Sequence, residues 1–290
     1  MSRPIDIKLA RSLVPARPDD SHKGTYGHLL VIAGSVGLTG AACLACEAAF
    51  RTGVGMVTLG LPKSLNLAME ARLTETMTRP LPETAAQSLG IEAFDEIARM
   101  SEGMDGIALG PGLSTDPETQ ELIRKLVGEL DLPMVIDADG LNALAGHTDV
   151  LISRKGPAVI SPHPGEMSRL TGLSTSEVQQ KREMIAPVCA SDWGVDIIMK
   201  GAPSLVATTG GRLFENTTGN SGMSTAGSGD VLTGMVAALL CQGLGTAEAA
   251  VLGTYLHGLA GNEAAGRYTG RGMVASDMIE CLPEAWHTLD

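Results

Sequence analysis

The sequence predicts an α/β fold: a central, mostly parallel sheet with helices on both faces and an antiparallel hairpin at one edge. Three observations carry this. Short continuous runs of Val, Ile and Leu recur along the chain, as in strands buried on both faces. They alternate with longer helical stretches in βαβ order. Two of the later runs are separated only by Thr209-Gly210-Gly211, a hairpin turn.

Strands are expected over 29–33, 56–61, 106–109, 134–137, 158–161, 196–199, 205–208 and 212–215, the last two forming the hairpin. Helices are expected over 40–52, 85–100, 117–129, 174–191, 230–242, 246–266 and 276–282. The first helix is Ala-rich. Ser174 with Glu177 makes a capping box for the fourth, and Thr246 begins the sixth after Leu244-Gly245. No internal repeat and no low-complexity linker interrupts residues 1–290, which read as one domain.

The ends of these strands are polar, Gly-rich or both: Gly34-Ser35, Gly110-Pro111-Gly112, Asp137-Ala138-Asp139-Gly140, Pro162-His163-Pro164-Gly165-Glu166 and Lys200-Gly201. Ligands bind beyond the carboxyl ends of strands in open parallel sheets, so these segments are expected to form one crevice rim. The stretch from Gly219 to Gly234 adds to it. Small residues run up to Gly227-Ser228-Gly229-Asp230, and a buried helix follows. Such a junction aims free N–H groups and the positive helix end at an anion, making residues 227–229 an anion hole. A carboxylate there repels phosphate, so Asp230 calls for a different role. The one that fits is to take a proton from a hydroxyl that exchanges a phosphoryl group. The plainer reading is a Gly-rich turn ended by a helix-capping Asp.

Other candidates also have two readings. Asp137 and Glu166 hold Mg²⁺ through water, or Glu166 caps its own helix, as Asp139 does in its segment. His163 presents a hydrogen-bonding group at the crevice, or is a solvated turn residue. Lys200 neutralises a diphosphate, or is a solvated strand end.

Composition narrows the classes. Of 290 residues, 44% are hydrophobic but only 3% aromatic, so the core is expected to be aliphatic. The net charge of −12 argues against a nucleic-acid surface. Neither Walker nor Rossmann glycine patterns occur. Five cysteines are an odd number, pointing to reduced thiols, and the Cys43/Cys46 pair has no partner pair to complete a zinc site. No signal-like segment or bilayer-length apolar run is seen, so no membrane is expected and a cytoplasmic location is the default.

In this order, His22-Lys23-Gly24-Thr25-Tyr26-Gly27, Ala33-Gly34-Ser35, Gly40-Ala41, Gly110-Pro111-Gly112, Asp137-Ala138-Asp139, Pro162 to Glu166, Lys200-Gly201, Gly219 to Gly234 and Tyr255-Leu256-His257-Gly258 resemble the ADP-dependent NAD(P)H-hydrate dehydratases of the ribokinase-like superfamily. The resemblance implies a ribokinase-like fold and repair of a damaged cofactor: NADHX or NADPHX, hydrated at the nicotinamide ring, is dehydrated at the expense of a nucleotide. Bacterial members use ADP, giving AMP and phosphate, and eukaryotic members use ATP. Carried over by position, Ala41, Gly112, His163 and Asp230 contact the hydrate. Lys200, Gly201, Ala202, Pro203, Ser204 and Gly229 lie at the adenine nucleotide. Two positions depart: Ala226 stands where many relatives have Gly, and Ser204 where Thr is common. About 20 residues precede the match, so the epimerase fused in some relatives is expected to be a separate protein. A homo-oligomer is expected, with the Ala- and Gly-rich helix over 246–266 packing inside or between subunits. A small-molecule kinase of the same superfamily and a non-catalytic nucleotide sensor are the rival readings.

Overall fold

Alternate side chains of each central strand enter two different cores. In β2 (His28–Ile32), Leu29 and Val31 point to one face and Leu30 and Ile32 to the other, all four fully buried. The same split occurs in β5 (Gly106–Leu109) and β6 (Met134–Ile136), where Ala108 and Val135 oppose Ile107, Leu109, Met134 and Ile136. Period-2 side-chain direction with apolar residues at every position forces a layer of helices on each side.

The structure is a computed structural model that describes residues 2–290. The remaining strands are β1 (Arg3–Ile5), β3 (Met56–Pro62), β4 (Met77–Leu81), β7 (Ala158–Ile160), β8 (Asp196–Met199), β9 (Leu205–Ala207) and β10 (Leu213–Asn216). They form one sheet in the order β1-β10-β9-β8-β7-β6-β5-β2-β3-β4. All pairings are parallel except β8–β9 and β9–β10. The helices Thr39–Thr52, Ser228–Cys241, Thr246–Tyr268, Ala275–Glu280 and Leu282–Leu289 cover one face. Phe94–Ser101, Pro117–Glu129, Pro164–Thr171 and Arg182–Trp193, among others, cover the second. Thr39–Thr52 and Ser228–Cys241 pack closely, because a methyl on Gly234 would stand 2.1 Å from the Ala45 carbonyl oxygen.

All eight expected strands are present within one residue of their bounds. The hairpin is antiparallel as expected, but β1 pairs parallel with β10 and takes the outer edge. The expected helix over 85–100 is shorter. Residues 84–89 form a turn instead, closed by a bridge between Glu83 and Leu89 and by the Ala86 N–H donating to Thr84 Oγ1 at 3.2 Å. The helix over 174–191 is two helices, Thr175–Gln180 and Arg182–Trp193, which part at Lys181 (φ −119°, ψ 23°). The Ser174/Glu177 capping box is formed. Ala249, Leu252, Leu256 and Ala260 of Thr246–Tyr268 are fully buried within the chain itself, so this helix packs inside the subunit. Among the described residues, no helix is long and apolar enough to cross a membrane.

Candidate active site

Five rim segments that are far apart in sequence belong to five neighbouring strands. They follow β2, β5, β6, β7 and β8, which lie side by side and parallel. Strand order reverses between β2 and β5, the switch point where open sheets leave a crevice. There the Gly34 N–H donates to Pro111 O at 2.9 Å and Ser35 Oγ to Gly112 O at 2.8 Å. A methyl on Gly112 would lie 2.6 Å from Leu38 O and 3.2 Å from Ala41 Cβ, so Ala41 and Gly112, distant along the chain, are in contact.

Ser228–Cys241 begins at this rim. Gly227 enters it with φ 89°, a conformation that costs Gly little and a β-carbon much. A methyl there would also meet Leu44 Cδ1 at 2.4 Å. No side chain caps this end. The Ser228 N–H reaches Thr225 O at 3.4 Å, whereas the N–H groups of Gly229 and Asp230 have no acceptor among the described residues. Of the expected anion hole at 227–229, Ser228 thus has its N–H engaged, and the free donors at this helix end are those of Gly229 and Asp230. Asp230 stands beside them, and no hydrogen bond reaches its carboxylate. Burial, with Asp137 adding to it and Lys200 opposing, pushes its pKa up to about 6. It is ionised at neutral pH and basic enough to accept a proton.

Lys200 is not a solvated strand end. Its Nζ lies 2.7 Å from Asp137 Oδ1 and 3.8 Å from Glu166 Oε2, with the side chain 21% exposed. Burial opposes its charge, but the two carboxylates outweigh burial and raise its pKa. Asp137 is 1% exposed and also accepts from Thr233 Oγ1 at 2.8 Å. A methyl on Gly229 would stand 3.3 Å from Lys200 Nζ and 3.5 Å from Asp137 Oδ2. Lys200, Asp137 and Thr233 therefore form a charged cluster beside the open helix end at Gly229.

The segment Lys200-Gly201-Ala202-Pro203-Ser204 is a closed loop. Arg182 Nη2 donates to Met199 O at 3.0 Å and to Pro203 O at 2.8 Å, bracketing it. Ser204 Oγ donates to Gly201 O at 3.1 Å. A methyl on Gly201 would collide with the guanidinium at 2.6 Å, so Arg182 packs flat against the loop's back. No sequence signal marks Arg182. Thr233 stands within Gly229-Asp230-Val231-Leu232-Thr233-Gly234, and its position one turn after Gly229 on a helix is the available clue.

His163 is the N-cap of Pro164–Thr171. Its Nδ1 accepts from the N–H groups of Gly165 (2.9 Å) and Glu166 (3.3 Å), and Glu166 Oε2 accepts from the His163 N–H at 2.8 Å. An accepting Nδ1 leaves the proton on Nε2, which lies 3.4 Å from Glu166 Oε1; the side chain as a whole is 50% exposed. Burial first, then Lys200 and Arg169, lower its pKa. Glu166 caps its own helix while facing Lys200, and burial raises its pKa to about 7. Asp139 does not cap its helix: it is the first residue of Asp139–Leu144, whose start has no side-chain cap, and its carboxylate instead accepts from the Ser114 N–H at 2.9 Å and from Asn142 Nδ2 at 3.0 Å.

Residues 29–284 match the family described as NAD(P)H-hydrate dehydratase. The chain belongs to the NAD(P)H-hydrate dehydratase family. It is 45% identical over 280 residues to the bifunctional NAD(P)H-hydrate repair enzyme Nnr of Moorella thermoacetica, covering 97% of this chain and 53% of that protein. The chain thus spans about half the length of several curated relatives it matches. It is 32% identical to the ADP-dependent (S)-NAD(P)H-hydrate dehydratase of Bacillus subtilis, with 95% of both chains covered. The crystal structure of the Bacillus subtilis ADP/ATP-dependent dehydratase co-crystallised with ATP and Mg²⁺ superposes with a TM-score of 0.88 at 30% identity, covering 100% of this chain and 99% of that one. A ribokinase-like superfamily protein from Enterococcus faecalis superposes with a TM-score of 0.85 at 25% identity, over 99% and 96%. The expected ribokinase-like fold is thereby shown.

The family's Mg²⁺ has no protein cage here. Among the described residues, no three His, Cys, Asp or Glu side chains converge on a metal position. Asp137 is engaged by Lys200 and Thr233, and Glu166 by its helix cap. This donor set fits a hydrated ion carried by a nucleotide's phosphates, reached through water, and not an ion bound directly.

Proposed function

We propose that this protein restores hydrated nicotinamide cofactors. It dehydrates (6S)-NADHX or NADPHX to NADH or NADPH, with ADP as the phosphoryl donor and ATP as the second candidate. The observation that carries the reading is Asp230: an unpartnered carboxylate poised next to two free N–H groups, near a lysine, in a family of hydrate dehydratases.

The roles follow from the geometry. The loop 200–204 and Gly229 take the nucleotide, with Lys200 balancing its phosphates. The N–H groups of Gly229 and Asp230 and the positive helix end hold the transferring phosphoryl group. Ala41, Gly112 and His163 seat the hydrate, His163 offering its Nε2–H. Asp230 takes the proton of the ring hydroxyl as its oxygen bonds to the terminal phosphorus, and the bond to AMP breaks. The ring nitrogen's lone pair then expels the phosphorylated oxygen, so the carbon–oxygen bond breaks and phosphate leaves a ring iminium. Loss of a proton from the adjacent ring carbon to the departing phosphate or to water restores the dihydronicotinamide. Asp137 and Glu166 would contact Mg²⁺ through water, and the ion when bound would neutralise charge on the phosphates.

Residues 1–290 carry this activity as one domain, and conversion of the other epimer is the work of an epimerase activity. All five cysteines are free, which supports a reducing, cytoplasmic setting. A homo-oligomer remains part of the reading, checked by light scattering. To test the function, the protein is incubated with hydrated NADH and either ADP or ATP. Recovery of the reduced-nicotinamide absorbance with release of phosphate supports it. A stable phosphorylated product identifies a kinase instead, and binding without turnover a sensor.

A further inference from the structure

His257 lies in the middle of Thr246–Tyr268, is 8% exposed, and is not among the residues assigned to the site above. Its Nε2 is 2.9 Å from Ser228 O and 3.5 Å from Ser228 Oγ. A carbonyl oxygen only accepts, so Nε2 carries the proton and donates. The neutral ring is the form that burial favours, holding its pKa down at about 4.

Ser228 O and the Gly229 N–H belong to one planar trans peptide unit and point in opposite directions. Whatever fixes the carbonyl fixes the aim of the N–H, and donation to the carbonyl also polarises the amide into a stronger donor. The Gly229 N–H is one of the two free donors at the rim. The helix that carries His257 is tied to the approach loop of the same site: Thr218 Oγ1 donates to Tyr255 O at 2.8 Å and Asn220 Nδ2 to Gly261 O at 2.8 Å. A methyl on Gly258 would meet Thr218 Oγ1 at 2.1 Å, so loop and helix are in direct contact beside His257.

We infer that His257 is a positioning residue of the anion hole: by donating Nε2–H to Ser228 O it orients the Gly229 N–H toward the terminal phosphate. It touches neither substrate, and it acts through one peptide plane. The inference rests on the reading that residues 227–230 seat that phosphate.

The test compares AMP, which lacks the terminal phosphate, with ADP. Binding of each to the full chain is measured by calorimetry for wild type, His257→Met (similar bulk, no donor) and His257→Gln (amide donor restored), alongside kcat and thermal stability. His257→Met is expected to weaken ADP about 10-fold while AMP changes less than about 2-fold, and to lower kcat about 10-fold or more. His257→Gln should recover most of both, and it reports even if His257→Met folds poorly. Equal weakening of ADP and AMP, or an unchanged ADP preference and kcat in a folded His257→Met, would overturn the positioning role. A wild type that does not prefer ADP over AMP would overturn the phosphate seat itself, and the inference with it.

Discussion

Two helices start at the same rim with the same backbone donors, and they use them differently. Pro164–Thr171 satisfies them with its own side chains, His163 and Glu166 forming a reciprocal cap. Ser228–Cys241 leaves them open, with Gly227 at the cap position and no side chain to satisfy them. An open helix end is destabilising in a folded chain, tolerated where a ligand completes it. The closed end holds the fold and presents one imidazole edge. The open end, with a lysine and a carboxylate beside it, is equipped for phosphoryl transfer. Breaking the open end should therefore cost turnover and nucleotide affinity, and breaking the closed end should leave nucleotide affinity untouched.

The largest effect is expected from Asp230→Asn. Loss of the base should lower kcat about 10²–10⁴-fold, with nucleotide affinity within a few-fold of wild type. Wild-type kcat/KM should fall as pH drops through about 6, because the carboxylate must be ionised to accept a proton. The same raised pKa has the opposite effect on stability. The folded state holds this proton more tightly than the unfolded chain, so stability is lost as pH rises from 3.8 through about 6. Asp230→Asn should thus raise Tm by about 2–4 °C at pH 8 and change it little at pH 4. Near-normal turnover in this variant would remove the distinction between the two helix ends.

Lys200→Met strips the charged cluster beside the open end. It should raise the nucleotide KM about 10–100-fold and lower stability by about 3–5 kcal/mol, since Asp137 and Glu166 lose their cation. Denaturant unfolding and nucleotide titration read the two effects separately. Arg182→Ala acts one step further away. With the loop 200–204 released, the nucleotide KM should rise about 10-fold while kcat stays within about 2-fold. A fall in kcat at unchanged KM would instead place Arg182 with the chemistry.

His163→Ala opens the closed end and sharpens the contrast. Loss of a cap costs about 1 kcal/mol, seen as a Tm lower by a few degrees, and the hydrate KM should rise a few-fold while the nucleotide KM does not move. If nucleotide affinity fell as much as in Lys200→Met, the division of labour between the two ends would not hold.

Much of this is legible in the sequence where chemistry is local. Central strands are readable because both faces are buried, as in Leu29 to Ile32. The rim segments are readable because strand ends there carry Gly, Pro and charge. Edges are not: β4 includes Pro80 and is largely exposed, and β1 has three residues, so neither shows a double-sided apolar run. The break at 84–89 is decided by turn hydrogen bonds and the one at Lys181 by a single non-helical backbone conformation, both of which a helical apolar pattern hides. Within the site, Asp230, Lys200 and the glycines are marked by motif. Arg182 is not, because it serves the loop through two backbone carbonyls in other segments. The ion pairing of Lys200 with Asp137 and Glu166 is not legible either, because it joins segments that follow three different strands.

The most direct measurement follows one oxygen atom. Hydrated NADH labelled with oxygen-18 in its ring hydroxyl is converted in unlabelled water with ADP, and the released phosphate is analysed by mass spectrometry. If the hydroxyl oxygen attacks the terminal phosphorus with Asp230 as base, each phosphate carries one labelled oxygen. Unlabelled phosphate, with the label in water, would contradict phosphoryl transfer to the hydrate at the open helix end.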